Sequence, residues 1–284
     1  MSPNSQIGVS FEVYPPRTPD KLPQLHESIT ALDTVAPEFI SVTFGAGGSS
    51  TRDSLAVLNF IKDHTNATPL AHLTCVGTSE IEAQQLVSSF IGSGITEFLA
   101  LRGDLPEGAT EHTGELHNAV DLVRLMKSGI PESPSVERIA VAAFPNGHPE
   151  SSSIDEDIDA LLAKQEAGAT LAITQLFFFV EDYIRFVEKA SAAGVSIPVL
   201  PGLMPITSPT RLARVLELTG EANPRELESQ LASSDDLHER VSIGVRWCAD
   251  MIRELVDYGV PGIHLYAFNQ HETVLSALEE AGVR

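Results

Sequence analysis

Cysteine, basic side chains and long apolar runs are all scarce in this sequence. Two cysteines among 284 residues, Cys75 and Cys248, cannot form a disulfide framework, which predicts a reducing, cytoplasmic setting. Lysine and arginine number 18 against 39 acidic residues, and the net charge of -21 argues against nucleic acid or an anionic membrane as a partner. No apolar run approaches the ~20 residues that cross a bilayer. The polar stretch 1–6 lacks the order of a signal peptide.

The apolar sequence that is present is enough for a large core and follows an alternating order. Hydrophobic residues make up 43% of the chain. The alternation predicts one domain over residues 1–284, a single (β/α)8 TIM barrel of the α/β class, with extra helices within 206–258. A doubly wound open sheet is the competing architecture, but Pro-Pro-Arg at 15–17 replaces its glycine-rich phosphate turn. The eight predicted strands lie at 7–14, 39–44, 69–76, 97–101, 138–144, 171–178, 197–203 and 262–268.

Two serines mark the starts of predicted helices. Ser79 with Glu82 and Ser153 with Glu156 have the spacing of a capping box, in which each side chain bonds the backbone of the other residue. Glycines such as Gly168 follow the amphipathic segments, where a left-handed residue closes a helix. These signals support helices between the strands.

The first predicted strand carries the most informative polar residues. Its alternation places Ser10, Glu12 and Tyr14 on the face that points into the barrel. A carboxylate inside a barrel is costly unless it is paired or protonated. Glu12 is therefore a candidate catalytic group, and a structural ion pair is the alternative.

Further candidates follow later strands, at the end of a barrel where active sites lie. Arg102 and Asp104 share a face after the fourth strand, and Gly103 between them allows close approach of a ligand. Gln175 ends the sixth strand, where its amide needs partners. A glycine-rich stretch at 45–50 could cradle a phosphate or a flat ring, although such a stretch is weak evidence alone.

The sequence contains no recognised metal-binding or covalent-hydrolase motif. It lacks an H-x-H pair, H-E-x-x-H, a cysteine pair and a G-x-S-x-G elbow. His72, His148 and His264 lie on or just beyond different strands and could converge. We nevertheless expect no metal.

Seven segments together resemble the methylenetetrahydrofolate reductase family. The resemblance runs from about residue 10 to residue 270, in the order of the family and on the predicted strands. Any one segment is weak, but seven in order are specific. The segments are VSFEVYPPRT (9–18), SVTFGAGGS (41–49), HLTC (72–75), ALRGDLP (100–106), VAAFP (141–145), HPE (148–150) and AITQ (172–175).

The resemblance implies reduction of 5,10-methylenetetrahydrofolate to 5-methyltetrahydrofolate, with hydride passing from NADH or NADPH to FAD and then to the folate. It implies that Glu12, with a raised pKa, protonates the departing N10 as general acid. It implies that ionised Asp104 stabilises the cationic iminium at N5. The implied substrate-binding residues are Asp104, Gln175 and Arg211. The implied FAD-binding residues are Thr43, His72, Arg102, Gly103, Asp104, Ala119, Phe144, His148, Asp157 and Lys164.

Several positions depart from the pattern of the family. Ala160 stands where the family has Asn, Ala119 follows an Asn rather than the usual Tyr, and Phe144 often stands as Tyr. At the folate end, Arg211 replaces a common Gln and Gln270 replaces the usual Arg. We therefore expect loosely bound FAD. The alternative is a flavin-independent enzyme that passes hydride directly from NADH to the folate.

A barrel aldolase or lyase and a non-enzymatic folate- or flavin-binding protein are the two other functional classes. A barrel aldolase or lyase would need a Schiff-base lysine on a strand, but the lysines at 62, 127, 164 and 189 fall in predicted helices. A non-enzymatic folate- or flavin-binding protein would have no need for an inward-facing Glu12, and a turnover assay separates it from an enzyme. The sequence carries no motif that selects NADH over NADPH. It does not determine the oligomeric state, and a homo-oligomer is compatible with it.

Overall fold

The computed structural model describes residues 7–44, 51–103, 114–128 and 135–283. The prediction for Asp104 and that for the glycine-rich stretch 45–50 lie outside these ranges. Within them the chain forms one parallel sheet of nine strands. The strands are β1 (Val9–Val13), β2 (Phe39–Val42), β3 (Thr68–Thr74), β4 (Glu97–Leu101), β5 (Arg138–Ala143), β6 (Leu171–Thr174), β7 (Val199–Leu200), β8 (Gly202–Leu203) and β9 (Ile263–Tyr266).

The sheet closes into a barrel through a strand that is broken in two. Its order is β7-β6-β5-β4-β3-β2-β1-β9-β8, so β7 and β8 are the two ends of the sheet. They are separated in the chain by Pro201 alone. β7 pairs with β6 and β8 pairs with β9, all in parallel. Eight strand positions therefore surround the axis, which confirms the predicted TIM barrel and excludes the open sheet.

Helices follow the strands, and three of them lie between β8 and β9. Ser79 and Glu82 form the complete capping box of α3. Ser153 accepts from the backbone of Glu156, but the Glu156 carboxylate turns to the backbone N–H of Ser152, so that box is only half formed. The described α-helices are α1 (Leu22–Asp33), α2 (Thr51–His64), α3 (Glu80–Gly92), α4 (Ala119–Lys127), α5 (Ile154–Ala167), α6 (Val180–Ala192), α7 (Pro209–Thr219), α8 (Arg225–Ala232), α9 (Leu237–Tyr258) and α10 (His271–Ala281).

The core consists of a large outer cluster and a smaller inner one. The outer cluster packs the helices against the outward side chains of the strands, such as Phe11 and Val13. The inner cluster fills the barrel axis with apolar side chains: Phe39, Leu70, Leu99, Ala140, Leu171, Ile173 and Leu200. This inner layer separates the two ends of the barrel.

The N-terminal end of the barrel interior is closed by an ion pair. Glu97 Oε2 lies 3.4 Å from Arg138 Nε, and the guanidinium lies 5.3 Å from the centroid of the Phe39 ring. Burial raises the pKa of Glu97. The opposite, C-terminal end holds the polar groups described below.

Among the described residues, no helix has the length and apolar character needed to span a membrane.

Candidate active site

Strand register places Glu12 inside the barrel near the C-terminal end of β1. Glu12 is paired with Ser41 on β2 and with Tyr266 on β9. Paired residues in a parallel sheet share a face, so these three side chains line the interior together. The alternation predicted for Ser10 and Glu12 is thereby confirmed.

Two histidines face the Glu12 carboxylate. His72 Nε2 lies 3.6 Å from Glu12 Oε2, and His264 Nε2 lies 4.0 Å from the same oxygen. The side chain of Glu12 is 17% exposed, whereas those of His72 and His264 are 5% and 1% exposed. The carboxylate is the most accessible member of the trio, which suits a group that meets a ligand from the barrel mouth.

Burial has the largest influence on the pKa of both Glu12 and His72. Burial raises the pKa of Glu12, but the charge of His72 and the imidazole of His264, 4.0 Å away, lower it, and the net direction is down. Burial lowers the pKa of His72 more than Glu12 raises it. The prediction of a raised Glu12 pKa is therefore wrong for this arrangement, because two imidazoles face the carboxylate.

Ser10 orients the imidazole of His264. Ser10 Oγ lies 2.9 Å from His264 Nδ1, and the hydroxyl also lies 3.4 Å from the carbonyl oxygen of Ile263. With Nδ1 engaged by Ser10, the ring directs Nε2 toward Glu12.

Unpartnered polar atoms are concentrated around Glu12. Six buried side-chain atoms in the described residues have no hydrogen-bond partner, and four of them line this end of the barrel. Buried polar atoms are nearly always paired, so a concentration of exceptions indicates a place for a polar ligand or water. The four are Ser41 Oγ, Thr43 Oγ1, His72 Nε2 and His264 Nε2.

The segment after β4 packs closely against the end of β3. Gly103 has φ +90, and an added Cβ would lie 2.9 Å from Thr74 Cβ. Arg102 beside it forms a two-pronged ion pair with Glu150, in which Nη2 donates to Oε1 at 2.9 Å and Nη1 contacts Oε2. The sequence did not predict that Glu150 would hold this arginine.

Lys164 brings a partly buried ammonium group to the end of β5. Its Nζ donates to the carbonyl oxygen of Ala142 at 2.9 Å and lies 5.9 Å from the centroid of the Phe144 ring. Burial lowers the pKa of Lys164 to about 8, although nearby Asp157 opposes the shift. A bound anion would favour the charged form of this amine.

Asp157 holds the loop between β5 and α5. Its carboxylate accepts from the backbone N–H of His148 at 3.2 Å and from Ser151 Oγ at 2.8 Å. The His148 ring meets the Phe144 ring edge to face, with centroids 4.8 Å apart. Asp157 thus shapes the loop that carries His148, a role that its predicted place among the cofactor-binding residues did not specify.

Gln175 directly follows β6, and Ala119 is the first residue of α4. Gln175 Oε1 accepts from the backbone N–H of Leu176 at 2.9 Å, and its Nε2 has no acceptor among the described residues. Ala119 is buried at the first turn of α4, after Asn118, whose side chain caps the helix.

The barrel rim carries Arg211 and an aromatic pair. Arg211 Nη1 donates to Gln270 Oε1 at 3.0 Å, so the two departures from the family pattern contact each other. Tyr14 and Phe268 are 37% and 40% exposed, with ring centroids 6.2 Å apart. Asn269 fixes this pair, because its side chain bonds the backbone N–H and C=O of Tyr14 at 3.0 and 2.9 Å.

The histidines do not form a metal site in the described part of the chain. His72 and His264 meet at Glu12, whereas His148 Nδ1 accepts from the backbone N–H of Glu150 at 3.1 Å. No group of three or more candidate ligands that could hold a metal ion occurs among these residues.

Comparison with known proteins decides the family. The family model described as methylenetetrahydrofolate reductase matches residues 2–282. The chain belongs to this family. It is 35% identical to the 5,10-methylenetetrahydrofolate reductase of Escherichia coli (strain K12) over 280 residues, covering 98% of this chain and 92% of that protein. Methylenetetrahydrofolate reductase (NADH) 1 of Arabidopsis thaliana is 29% identical, covering 98% of this chain and 49% of that protein.

Solved structures support the fold of this methylenetetrahydrofolate reductase family member. An uncharacterized protein from Clostridium thermocellum, which binds two copies of 5-methyl-5,6,7,8-tetrahydrofolic acid, matches with a TM-score of 0.66 and 15% identity over 98% of this chain and 94% of that one. A dihydropteroate synthase from Xanthomonas albilineans matches with a TM-score of 0.54 and 11% identity, covering 98% of this chain and 91% of that one. At these identities the matches show a shared fold alone.

Four interior residues near Glu12 escaped selection as site residues from the sequence: Ser10, Ser41, His264 and Tyr266. The alternation that places Glu12 inside β1 also places His264 and Tyr266 inside β9. The alternation within 262–268 therefore carries a signal for both residues, but only His264 was a candidate, as a metal ligand.

Proposed function

We propose that this chain reduces 5,10-methylenetetrahydrofolate to 5-methyltetrahydrofolate with NADH or NADPH, as a single catalytic domain in the cytoplasm. Membership of the methylenetetrahydrofolate reductase family supports the reaction. The observation that carries the proposed mechanism is the inward-facing Glu12 carboxylate beside two nearly inaccessible histidines.

The proposed reaction needs one proton and one hydride. Opening of the five-membered ring breaks the bond from the methylene carbon to N10 and leaves an iminium at N5. Glu12 delivers the proton to N10, and the hydride from the nicotinamide ends on the methylene carbon, so NAD(P)H is oxidised. A flat folate ring over Glu12 would remove its remaining exposure and strengthen the burial that raises its pKa. Asp104 would stabilise the cationic iminium.

The donor set at the barrel mouth fits FAD. Thr43 Oγ1 and His72 Nε2 are buried and unpartnered among the described residues, and Gly103 follows the same end of the barrel in a left-handed conformation, with φ +90. Arg102 and Lys164 supply cations for a diphosphate. When bound, FAD would relay hydride from the nicotinamide to the folate. The remaining residues proposed to hold it are Ala119, Phe144, His148, Asp157 and Asp104.

We expect FAD affinity to fall as pH rises through the pKa of Lys164, about 8, because only the ammonium form attracts the diphosphate. Losing a charged hydrogen bond typically costs ~1.5–3 kcal/mol, so Lys164→Met should weaken binding roughly 10- to 100-fold at pH 7. The variant should also lose the pH dependence. Quenching of flavin fluorescence measures both effects without an activity assay.

The control for this titration is Lys189→Met. Lys189 is a half-exposed lysine of α6 that pairs with Asp155 at 2.6 Å. Its loss should leave FAD affinity and its pH profile unchanged. Equal pH profiles in wild type and Lys164→Met would remove Lys164 from the proposed FAD site.

The rim is proposed to bind the outer parts of the folate. Tyr14 and Phe268 offer ring faces to its aromatic linker, and Arg211, already bonded to Gln270, offers a guanidinium to the tail carboxylate.

Arg211→Gln should raise KM for methylenetetrahydrofolate about tenfold and leave kcat nearly unchanged, because the tail carboxylate does not change during reaction and one charge-assisted bond is worth ~1.5–3 kcal/mol. Steady-state kinetics checks the split. Arg214→Gln is the matched control on the same helix, since Arg214 is an exposed partner of Glu217. A fall in kcat without a change in KM for Arg211→Gln would contradict a tail-binding role.

The flavin route and direct transfer are separated by kinetics and spectroscopy. A flavoenzyme should give parallel double-reciprocal lines, turnover that responds to added FAD, and a flavin absorption band on the purified protein. Full activity in colourless protein with intersecting lines would reject FAD and favour direct transfer from NADH. Absence of turnover with either nucleotide would reject the reductase itself.

A further inference from the structure

Tyr266 spans the place where the barrel ladder is interrupted. Tyr266 is the last residue of β9, and its hydroxyl donates to the carbonyl oxygen of Thr174 on β6 at 2.7 Å. The two strands are not neighbours, because the broken seventh strand lies between them. The bond therefore crosses over β8.

The ladder leaves the Thr174 carbonyl without its regular donor. Ala172 N–H donates to the carbonyl oxygen of Pro198, and continuing that parallel register would bring Gly202 N–H to the Thr174 carbonyl. Gly202 N–H instead donates to Thr174 Oγ1 at 2.8 Å. Because a buried carbonyl needs a donor, Tyr266 supplies the one that is missing.

Gly202 makes room for this crossing. An added Cβ there would lie 2.4 Å from the Thr174 carbonyl oxygen and 2.8 Å from Tyr266 Cε2. Any side chain at this position would separate the two groups. Burial, with a contribution from Glu12, raises the pKa of Tyr266, so its hydroxyl keeps the proton that it donates.

The residue that follows Thr174 is Gln175, whose side-chain Oε1 accepts from the backbone N–H of Leu176 at 2.9 Å. The peptide group that joins Thr174 and Gln175 is held at both ends. Its N–H donates to the Ala143 carbonyl oxygen at 2.8 Å, and its carbonyl oxygen accepts from the Tyr266 hydroxyl. Tyr266 is also the register partner of Glu12 on the interior face. Tyr266 thus connects the strand position of Glu12 with the residue before Gln175, whose amide the family resemblance implies as a folate ligand.

We propose that Tyr266 is a positioning residue that fixes the carboxyl end of β6 and so holds Gln175 in register with the folate ring. This inference rests on the proposed function. Loss of the hydroxyl should let Gln175 shift, because the Thr174 carbonyl would turn toward another donor. Substrate binding should then weaken while proton delivery by Glu12 continues.

The test combines Tyr266→Phe with a matched control, Tyr183→Phe. Tyr183 also donates its hydroxyl to a strand carbonyl, that of Val199, at 2.7 Å, but from α6 on the outside of the barrel. Both variants should lose similar thermal stability. Only Tyr266→Phe should raise KM for methylenetetrahydrofolate, and Kd for 5-methyltetrahydrofolate by calorimetry, about tenfold, with kcat changed less than about threefold.

A double-mutant cycle with Gln175→Ala separates positioning from general destabilisation. If Tyr266 acts through Gln175, Tyr266→Phe should weaken 5-methyltetrahydrofolate binding little further once Gln175 is absent. Additive losses, or equal Kd changes in the two tyrosine variants, would overturn the proposal. Wild-type protein that binds 5-methyltetrahydrofolate without reducing methylenetetrahydrofolate would refute the proposed function, and the Kd cycle would still test Tyr266. Wild-type protein that does not bind it would overturn both.

Discussion

Glu12→Gln is expected to lower formation of 5-methyltetrahydrofolate by ~10²–10⁴-fold, the usual cost of losing a general acid. The amide keeps the size of the side chain but cannot deliver a proton to N10. Its neighbours, His72 and His264, are too inaccessible to take over, with side chains 5% and 1% exposed. Product formation over time, measured by chromatography, checks this result. If FAD is bound, its reduction by NADH should survive, because that half-reaction needs no proton at N10.

Glu97→Gln is the matched control for Glu12→Gln. Glu97 is another interior carboxylate, but it lies beside Arg138 at the N-terminal end of the barrel, beyond the apolar inner layer. Its substitution should leave product formation near the wild-type rate at temperatures where the variant is folded. Near-normal turnover in Glu12→Gln would remove Glu12 from the mechanism.

Asp104→Asn is expected to slow hydride transfer to the folate by ~10²–10³-fold, the usual effect of removing one electrostatic partner of a developing charge. The sequence places Asp104 directly after Gly103, which follows the C-terminal end of β4, and active sites of TIM barrels lie at that end of the strands. The neutral amide cannot offset the positive charge of the iminium. Single-turnover kinetics isolates this step.

The same variant should make bound flavin easier to reduce, because a negative charge near the ring is removed. Redox titrations of the variant and of the wild type measure this shift in the flavin reduction potential. If the folate kinetics and the flavin reduction potential are both unchanged, Asp104 serves only as a turn residue.

The fold could be predicted from sequence because each strand carries its own period. The eight predicted strands coincide with the eight positions around the barrel, including the long interval before β9. The break at Pro201 was not predicted, since 197–203 reads as one apolar strand. Proline has no N–H, but its carbonyl still accepts from His264 N–H at 3.0 Å, so the sheet tolerates it between the two halves.

The electrostatics of the site could not be predicted from local patterns. The direction of the Glu12 pKa depends on His72 and His264, which come from two other strands and meet the carboxylate only in the folded barrel. The pairing of Arg102 with Glu150 likewise joins two loops. Sequence alternation identifies which residues face inward, but only the register between strands determines which of them touch.

The central claim is that a buried acid in a folate-reducing barrel performs turnover. It is tested most directly by incubating the purified protein with 5,10-methylenetetrahydrofolate, NADH or NADPH, and FAD, and measuring 5-methyltetrahydrofolate by mass spectrometry, with Glu12→Gln alongside. The wild type should form product catalytically with at least one nucleotide, and the variant should lose at least about a hundredfold of this activity. Folate binding by the wild type without any product, or equal product from both proteins, would contradict it.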